Sequence, residues 1–394
     1  MNSITYPLVE NPFKKKDILE AIKVLKSGQI TMSKKTFEFE KKFAKFIGAK
    51  YALMVNSGSS ANLLAAFAII NPKKKNHVKK NFEFLIPSLC WSTSLWPFIQ
   101  AGLKPRFVDV DKKNFNIDLN DLKKKINKNT KVIMCVHTLG GSTNIEELKK
   151  IAQSKKIFLI EDTCESLGAK YKNKFLGTYG DFGTYSFYVS HQITSGEGGM
   201  IVCNSKTDYD LLHSLRSHGW SRNYSSNLKK DRSFNFINSG FNLRPLDITA
   251  SIGINQFKRL QYLIKIRTQN RNKIIFSLKK SKKWKNQFSF LEFDKNVFPS
   301  YFGFPLIINK RYLKKKQKFL DFLNKKKIET RKIISGNFLN QPSIKLYNLN
   351  KKNLKFKNAQ FIDDSGFFIG LHSSPISNAK LKYLVKNLLD ISNI

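Results

Sequence analysis

The stretch GTYSFYVSHQITSGEGGM runs from Gly183 to Met200 and combines three features that decide the fold. An apolar run predicts a strand, a polar segment around His191 predicts a loop, and the pair Gly198-Gly199 enters a second apolar run. This order places polar side chains at the end of a buried sheet. Ligands of α/β proteins bind at such strand ends, so the loop is a candidate binding segment.

Apolar runs over the first two thirds of the chain predict the rest of this sheet. The predicted strands cover residues 51–55, 82–89, 105–110, 131–136, 157–161, 183–188 and 200–203. Amphipathic segments at 59–70, 119–126 and 145–154 lie between them and predict helices. Strands that are apolar throughout and separated by helices predict an α/β protein with a mostly parallel sheet, covered on both faces.

The sequence pattern changes near Asp247. A long helical stretch at 248–275, a strand-like run at 301–308, and helices at 314–325 and 379–389 predict a smaller α/β unit. We therefore expect three parts, which are an N-terminal arm with the first helix (1–25), a large ligand-binding domain (26–250) and a small C-terminal domain (251–394).

The net charge is strongly positive, since 70 Lys and Arg against 28 Asp and Glu give a formal value of +42. Lysine triplets such as 14–16 and 325–327 lie between apolar segments, as solvated helix ends and loops do. No arginine-rich helix, aromatic RNA-binding motif or zinc finger accompanies them. A specific nucleic-acid partner is therefore not expected, although weak binding to polyanions follows from the charge.

Apolar runs and cysteines bear on the compartment. No run reaches the roughly 18 apolar residues of a membrane-spanning helix, and residues 1–10 lack the pattern of a secretory signal. The cysteines are far apart and show no zinc-binding spacing; they are Cys90, Cys135, Cys164 and Cys203. They predict buried thiols in a reducing compartment, and hence a cytoplasmic protein without membrane contact.

Two further strand ends carry candidate ligand-binding residues. The run NSGSSAN at 56–62 opens a predicted helix, where backbone amides and the helix dipole favour an anion such as phosphate. An ordinary capped turn has the same composition. Trp91 follows another predicted strand and suits either stacking on a flat ligand or packing at the rim of the core.

The run EDTCES at 161–166 places carboxylates at the end of a buried strand, which is costly without a partner. A pyridinium nitrogen is one such partner, because an ionised aspartate keeps that ring protonated. A structural salt bridge is the alternative interpretation. A metal site is not expected, because no nearby histidine or second carboxylate cluster completes one.

Taken in order, SGSSAN, a tryptophan after a strand, EDTCES, SFY and GEGG resemble the DegT/DnrJ/EryC1/StrS sugar aminotransferase family. The resemblance extends from Tyr6-Pro7 through GFNLRP at 240–245 to SGNF at 335–338. It implies the aspartate-aminotransferase type of fold (fold type I), which is a mostly parallel mixed sheet with a smaller C-terminal α/β domain. It also implies pyridoxal 5′-phosphate (PLP) as the cofactor of the large domain.

The resemblance assigns a role to each candidate residue. Gly58, Ser59 and Ser186 are expected to hold the cofactor phosphate, together with Asn242 from the neighbouring subunit of a homodimer with shared active sites. Trp91 is expected to stack on the cofactor ring, Asp162 to pair with the ring nitrogen, and Glu165 to lie near the cofactor's amine or ring oxygen. The expected substrate contacts are Ser190, His218 and Arg222. Arg244 is expected to brace the loop of Asn242.

The chain departs from the family at His191, where the aminotransferases carry the lysine that binds PLP covalently. No lysine occurs between Lys174 and Lys206 to replace it. Family members with histidine here are similar to sugar 3-dehydratases, which work from pyridoxamine phosphate (PMP). The resemblance therefore implies His191 as the base that removes a proton from C4′ of the cofactor. An imidazole suits this role because its unperturbed pKa is about 6.5.

The implied reaction is C3 dehydration of a nucleotide-linked 4-keto-6-deoxy sugar, with GDP-4-keto-6-deoxymannose as the first candidate. Glutamate regenerates PMP, and ammonia leaves. Two alternatives stay open, namely an aminotransferase that tolerates histidine and a silent relative that binds cofactor or nucleotide sugar. A second histidine-bearing branch carries an iron–sulphur cluster on cysteines beyond that histidine. Since the last cysteine is Cys203, we expect no iron–sulphur cluster.

Overall fold

The computed structural model describes residues 5–221, 235–350 and 353–394. Its helices there are α1 (Lys15–Lys26), α2 (Lys34–Ile47), α3 (Gly58–Ile69), α4 (Ser92–Gln100), α5 (Leu119–Lys125), α6 (Ile145–Ser154), α7 (Lys206–Arg216), α8 (Asp247–Phe257), α9 (Leu260–Lys280), α10 (Lys316–Lys325), α11 (Pro342–Leu346), α12 (Lys357–Ser365) and α13 (Asn378–Leu389). Short 3₁₀ helices cover Thr138–Gly140, Lys310–Lys315, Phe338–Asn340 and Asp390–Ser392.

The strands in the same ranges are β1 (Tyr51–Val55), β2 (Glu83–Pro87), β3 (Lys104–Val108), β4 (Thr130–Val136), β5 (Phe158–Asp162), β6 (Lys170–Tyr171), β7 (Lys174–Phe175), β8 (Phe182–Ser186), β9 (Gly199–Cys203), β10 (Phe288–Phe290), β11 (Val297–Phe298), β12 (Phe304–Ile308), β13 (Thr330–Arg331) and β14 (Gly366–Ile369). Among the helices of these ranges, none combines the length and the apolar character that crossing a membrane requires.

The strands predicted from apolar runs form one seven-stranded sheet in the order β1-β9-β8-β5-β4-β2-β3. The pairs β2–β3, β2–β4, β4–β5 and β5–β8 are parallel, while β9 is antiparallel to both of its neighbours. The prediction of a mostly parallel sheet is thus confirmed. The carboxyl ends of β4, β5 and β8 meet at one edge.

Both faces of this sheet are covered by apolar layers, which explains why the strands are apolar throughout. Along β2, Phe84 and Ile86 belong to one core cluster and Leu85 to another. Met134 and Cys135 divide between the same two clusters along β4. Successive side chains of a strand point to opposite faces, so alternate residues fill separate layers.

The C-terminal part forms a second, antiparallel sheet in the order β10-β12-β14-β13. Its core includes Phe304 and Phe319 and is separate from the clusters of the large sheet. A small third sheet, β11-β6-β7, joins the two parts because β11 pairs with β6. The division at residues 25 and 250 stays a prediction.

The helical stretch predicted at 248–275 is present, but it is divided into two helices, since α8 ends at Phe257 and α9 begins at Leu260. Arg259 lies at this break and forms an ion pair with the buried carboxylate of Asp17, at 2.7 Å. The same carboxylate accepts a hydrogen bond from Gln256 at 2.9 Å. A tertiary contact with α1 therefore overrides the helical periodicity of this stretch.

The four cysteines are free thiols, as predicted. Cys90, Cys135 and Cys203 are buried, whereas Cys164 is partly exposed. Cys164 differs because it lines a cavity at the edge of the large sheet.

Candidate active site

A cavity of about 550 Å³ lies where β4, β5 and β8 end, and Val136, Asp162 and Ser186 line it from these strands. Its volume is in the range of small-molecule sites. Eight residues that the sequence predicted line this one cavity; they are Gly58, Ser59, Trp91, Asp162, Glu165, Ser186, Ser190 and His191. The structure thus brings together motifs separated by more than a hundred residues.

The N-terminus of α3 forms one side of this cavity. Ser57 caps the helix, and its Oγ accepts a hydrogen bond from the amide of Ser60 at 3.1 Å. Gly58 packs so tightly that a Cβ there would lie 2.6 Å from the Cβ of Ser186. Glycine is therefore required at this position, and the serine hydroxyls and helix dipole make a site suited to phosphate.

Asp162 presents a buried carboxylate at the end of β5 and is only 5% exposed. Its Oδ2 accepts hydrogen bonds from Nδ2 of Asn62 at 2.9 Å and from Oγ of Ser94 at 2.7 Å. The amide of Cys164 donates to Oδ1 at 3.1 Å. The carboxylate is thereby held in place while it still faces the cavity.

Sequence reasoning did not single out Asn62 and Ser94, although a signal was present. Asn62 lies four residues after Gly58 on α3, and Ser94 lies three residues after Trp91 on α4. Side chains three or four residues apart share one face of a helix. Helical spacing from the two recognised residues would have found both.

Glu161, adjacent to Asp162, has a structural role. Its carboxylate pairs with Nε2 of His137 at 2.9 Å and accepts amide hydrogen bonds from Gly177 at 2.7 Å and Gly180 at 2.6 Å. Burial alone raises the pKa of Glu161, but His137 and these amides outweigh it and hold the pKa below its usual value. The salt-bridge interpretation thus applies to Glu161, and the ligand-facing interpretation to Asp162.

Glu165 lines the cavity with an unusual protonation equilibrium. Its Oε2 accepts a hydrogen bond from the amide of Leu139 at 2.9 Å. Burial raises the pKa of Glu165 to about 7; the Leu139 amide opposes this shift and the charge of Asp162 adds to it. Near neutral pH this carboxyl is therefore able either to donate or to accept a hydrogen bond at a ligand oxygen or amine.

His191 follows β8 and lies on the wall of the cavity. Its ring packs edge-to-face on Phe302, with 5.1 Å between the ring centroids. Burial, and then the positive charge of Arg267, lower the pKa of His191 to about 3, against a weak opposing effect of the Tyr188 carbonyl. This pKa lies well below the unperturbed value of about 6.5, because the ring is buried and close to a guanidinium. The imidazole is neutral at working pH, which is the form that accepts a proton.

Trp91 precedes α4 at the rim of the cavity and is 57% exposed. An indole this exposed is unusual for so large an apolar side chain. Its position suits a flat ring stacked against it, and not the core packing that was the alternative.

Asn242 and His218 lie elsewhere in the chain. Asn242 lines another cavity, of about 570 Å³, together with Trp220 and Arg244. Nε of Arg244 donates to Oδ1 of Asn242 at 3.0 Å, which confirms the predicted bracing, and Nη2 of Arg244 lies 3.5 Å from Nε2 of His218. Within one chain these residues do not join the His191 cavity. Arg222 lies outside the described residues.

Four residues of the C-terminal part complete the wall opposite the sheet, and sequence reasoning missed all of them. They are Phe302, Arg331, Ile334 and Phe368. No local pattern marks them, because only the packing of the two sheets brings them to the cavity. Over the described ranges, histidine, cysteine and acidic side chains form no group of three that would suit a metal ion.

Comparison with known proteins gives a family and several relatives. A family model described as the DegT/DnrJ/EryC1/StrS aminotransferase family matches residues 12–388. A protein of Escherichia coli O55:H7 (strain CB9615 / EPEC), named GDP-4-keto-6-deoxy-D-mannose 3-dehydratase, is 36% identical over 379 residues. The alignment covers 94% of this chain and 96% of that protein.

Solved structures agree with this similarity. The E. coli GDP-4-keto-6-deoxy-D-mannose-3-dehydratase with bound hydrated PLP superposes with a TM-score of 0.89 at 35% identity, over 98% of this chain and all of that chain. A structure of GDP-4-keto-6-deoxymannose-3-dehydratase with a trapped PLP-glutamate geminal diamine gives a TM-score of 0.86 at 34% identity, over 97% of this chain and all of that chain.

Proposed function

The chain belongs to the DegT/DnrJ/EryC1/StrS aminotransferase family, and from this premise we propose that it is a PLP-dependent sugar 3-dehydratase. Its substrate is GDP-4-keto-6-deoxy-D-mannose, which it converts to the 3,6-dideoxy-4-keto sugar in deoxysugar biosynthesis. The observation that carries this proposal is His191 on the cavity wall, at the place where the aminotransferases need a lysine. Similarity along nearly the whole chain to an enzyme named for this reaction supports it.

The residues of the cavity fit the cofactor. The tight approach of Gly58 to Ser186 at the start of α3 suits the phosphate, and the buried Asp162 suits a protonated ring nitrogen. The exposed indole of Trp91 suits the face of the ring. When bound, PMP supplies the amine that condenses with the C4 ketone and the electron sink that allows the C3 hydroxyl to leave.

His191 moves the proton in this reaction. Since its imidazole is neutral, it accepts the proton from C4′ of the cofactor. Once protonated, the same imidazole donates to the departing C3 hydroxyl. Glu165 shares its proton with an oxygen or the amine of the cofactor, because its pKa of about 7 allows both states. No residue of this set forms a covalent bond, so the product amine is released by water.

We further propose a homodimer with shared active sites. Exposed apolar side chains on α1 support it, and these are Ile18, Leu19, Ile22 and Leu25. Asn242 lines a cavity separate from the one of His191 in its own chain, so it can contribute to a cofactor site only in a neighbouring subunit. Mixing two inactive variants, His191→Asn and Asn242→Leu, is expected to restore part of the activity in mixed dimers. Mixtures that stay inactive contradict the sharing.

The four free thiols suit a reducing compartment, so we place the reaction in the cytoplasm.

One incubation tests the proposed reaction. The purified protein receives PLP, glutamate and GDP-4-keto-6-deoxymannose, and the products are examined for ammonia and by mass spectrometry. The proposal predicts free ammonia, 2-oxoglutarate and a sugar that has lost one oxygen atom. A stable amino sugar identifies an aminotransferase instead. An unchanged sugar, together with retained PLP binding, contradicts this substrate and identifies a silent cofactor-binding relative if other nucleotide-linked 4-keto sugars are unchanged as well.

A further inference from the structure

Arg267, on α9, is a buried cation whose role the reaction described above does not explain. Its side chain is 7% exposed, and burial lowers its pKa to about 10, so it is charged at neutral pH. Among the described residues no carboxylate forms an ion pair with it. A buried charge is costly unless other groups compensate it, so its contacts should reveal its purpose.

Among the described residues, the hydrogen bonds of Arg267 go to backbone carbonyls at or next to the wall of the active-site cavity. Nη1 donates to the carbonyls of Tyr301 at 3.3 Å and Phe302 at 2.9 Å, and Nη2 donates to the carbonyl of His191 at 3.2 Å. The guanidinium therefore joins the catalytic loop after β8 to the C-terminal segment that packs on the imidazole. Its planar fork is suited to bridging separate acceptors.

Gln192 makes the matching connection from the next residue of the loop. Its side chain is 2% exposed, and Nε2 donates to the carbonyls of Glu165 at 2.5 Å and Ser300 at 3.0 Å. Arg267 and Gln192 thus attach consecutive residues, 191 and 192, to one segment, 300–302.

These bonds form a closed circuit around the catalytic loop. The amide of Phe302 donates to the carbonyl of Leu139 at 3.4 Å, and the amide of Leu139 donates to the carboxylate of Glu165. The carbonyl of Glu165 accepts from Gln192, which is adjacent to His191. The circuit returns through Arg267 to Phe302, so the base, its aromatic neighbour and the cavity carboxyl have fixed relative positions.

The ring of His191 lacks the side-chain partner that usually orients a catalytic base. Its Nδ1 is buried and has no hydrogen-bond partner of normal geometry among the described residues, although the Tyr188 carbonyl is near enough to favour the protonated ring. Orientation therefore comes mainly from the attachment of its backbone and from the ring of Phe302. A lysine bound covalently to a cofactor would be oriented by that bond, whereas a histidine needs a substitute.

We propose that Arg267 and Gln192 are positioning residues for the dehydration, which hold His191 and Phe302 at the cavity wall through backbone carbonyls. This inference rests on the proposed function and adds two residues to its machinery. Neither side chain lines the cavity of His191, so both act through His191.

The main test compares Arg267→Met with Arg271→Met. Arg271 lies one turn further along α9, where it donates to the carbonyl of Leu291 at 2.8 Å and stacks on the ring of Tyr301 at 4.6 Å. It thus touches the same segment but, among the described residues, donates to no carbonyl of residues 191 and 300–302, so it controls for loss of packing alone. We expect Arg267→Met to lower kcat about 10- to 100-fold, because misplacing a catalytic group by about 1 Å has effects of that size. KM for the nucleotide sugar and the Kd for PLP should change less than about twofold. Arg271→Met should keep the kcat of the parent.

Two further variants keep the test decisive if Arg267→Met folds poorly. Arg267→Lys retains the cation in a folded chain but loses the fork, so an intermediate loss of kcat is expected. Gln192→Met should show the same pattern as Arg267→Met, namely lower kcat at unchanged Kd for PLP.

A double variant tests whether Arg267 acts through His191. In a His191→Asn background, Arg267→Met should cause no further loss, since the base that it positions is already gone. A loss that adds in full to that of His191→Asn overturns the inference, as does an unchanged kcat in both Arg267 variants.

A second readout separates this inference from the proposed function. Conversion of bound PLP to PMP by glutamate can be monitored by absorbance and needs no sugar, and it requires the reverse proton transfer, from His191 to C4′. If the parent protein leaves every sugar unchanged, the proposed function fails, yet slower conversion in Arg267→Met still supports the positioning role. Equal conversion rates in parent and variant overturn it.

Discussion

Two walls of the active-site cavity are built in different ways. The cradle wall consists of Gly58, Asn62, Ser94, Asp162 and Ser186; Asn62 and Ser94 donate directly to the carboxylate of Asp162, and Gly58 packs tightly against Ser186. The base wall consists of His191 and Phe302, which line the cavity, together with Gln192 and Arg267 behind them, whose buried side chains donate hydrogen bonds to backbone carbonyls. The first arrangement fixes a ligand, and the second fixes a loop.

The difference predicts two separable functions. Changes in the cradle wall should alter cofactor affinity first, and only Asp162 should also alter the rate of the bound enzyme, because its carboxylate keeps the ring nitrogen protonated. Changes in the base wall that introduce no amine should alter the rate and leave cofactor affinity almost unchanged.

The largest effect is expected from His191→Lys in the base wall. The introduced amine can bond covalently to PLP, while the base that drives dehydration is gone, so dehydration should fall by about 10²- to 10⁴-fold. Borohydride treatment should trap the cofactor on the variant but not on the parent protein. A variant that dehydrates at the parent rate shows that His191 is not the base.

In the cradle wall, Asp162→Asn should weaken PLP binding by about 10²-fold, because it removes the charge that faces the ring nitrogen. Equilibrium dialysis measures this affinity. The matched control is the adjacent Glu161→Gln, which should leave PLP affinity near the parent value. It should instead destabilise the fold by about 1–3 kcal/mol, since buried amides and His137 lose their charged acceptor. The opposite result, in which Glu161→Gln weakens PLP binding and Asp162→Asn only lowers stability, would show that Glu161 and not Asp162 faces the ligand.

The pH dependence of stability should differ in sign between Glu165 and His191. The pKa of Glu165 is about 7 in the folded chain and 4.5 when the side chain is unperturbed, as in the unfolded chain. The folded chain therefore keeps a proton that the unfolded chain loses. Stability from this group falls as pH rises from 4.5 to about 7, by at most about 3 kcal/mol. Glu165→Gln should remove this fall, measured by urea unfolding of the cofactor-free chain.

His191→Asn is the counterpart to Glu165→Gln in this experiment. The folded pKa of His191 is about 3, below 6.5, so the unfolded chain binds the extra proton and stability falls as pH drops through that window. Relative to the parent, Glu165→Gln should therefore gain stability towards pH 7, and His191→Asn should gain it towards acid pH. Parallel shifts in the two variants contradict the assigned pKa directions.

The smallest effect concerns Trp91→Ala at the rim of the cavity. Loss of one stacking partner should weaken PLP binding about 3- to 10-fold, which corresponds to the usual worth of an aromatic pair. Stability should hardly change, because the indole is largely exposed. Trp96→Phe is the control. Trp96 lies on α4, which Trp91 precedes, but it packs on Tyr347 and does not line the cavity. Equal affinity of both variants for PLP argues against stacking.

The two walls also differ in how far the sequence predicted them. Gly58, Asp162 and Ser186 each end a strand or open a helix, so local patterns and their order along the chain were enough to predict one shared site. Asn62 follows Gly58, and Ser94 follows Trp91, at helical spacing, so both could have been predicted from the sequence as well. The seven strands were predicted for the same reason, because burial on both faces leaves a continuous apolar run.

The base wall was predicted only at His191 itself. Phe302 and Arg267 reach the loop after β8 from elements 76 to 111 residues further along the chain, and no local pattern marks such a contact. The pKa of His191 could not be predicted either, because it depends on burial and on the guanidinium of Arg267. The break at Arg259 was missed for a related reason, since the partner of Arg259 is Asp17 on α1.

The fate of the amino nitrogen of glutamate distinguishes a sugar 3-dehydratase from an aminotransferase. The enzyme is supplied with isotopically labelled glutamate, PLP and GDP-4-keto-6-deoxymannose, and the label is followed into ammonia and into the sugar. A dehydratase should release one labelled ammonium ion for each 3-deoxy sugar formed, and the sugar should carry no label. A labelled amino sugar that retains its C3 hydroxyl would contradict the account, because the site would then transfer nitrogen despite His191.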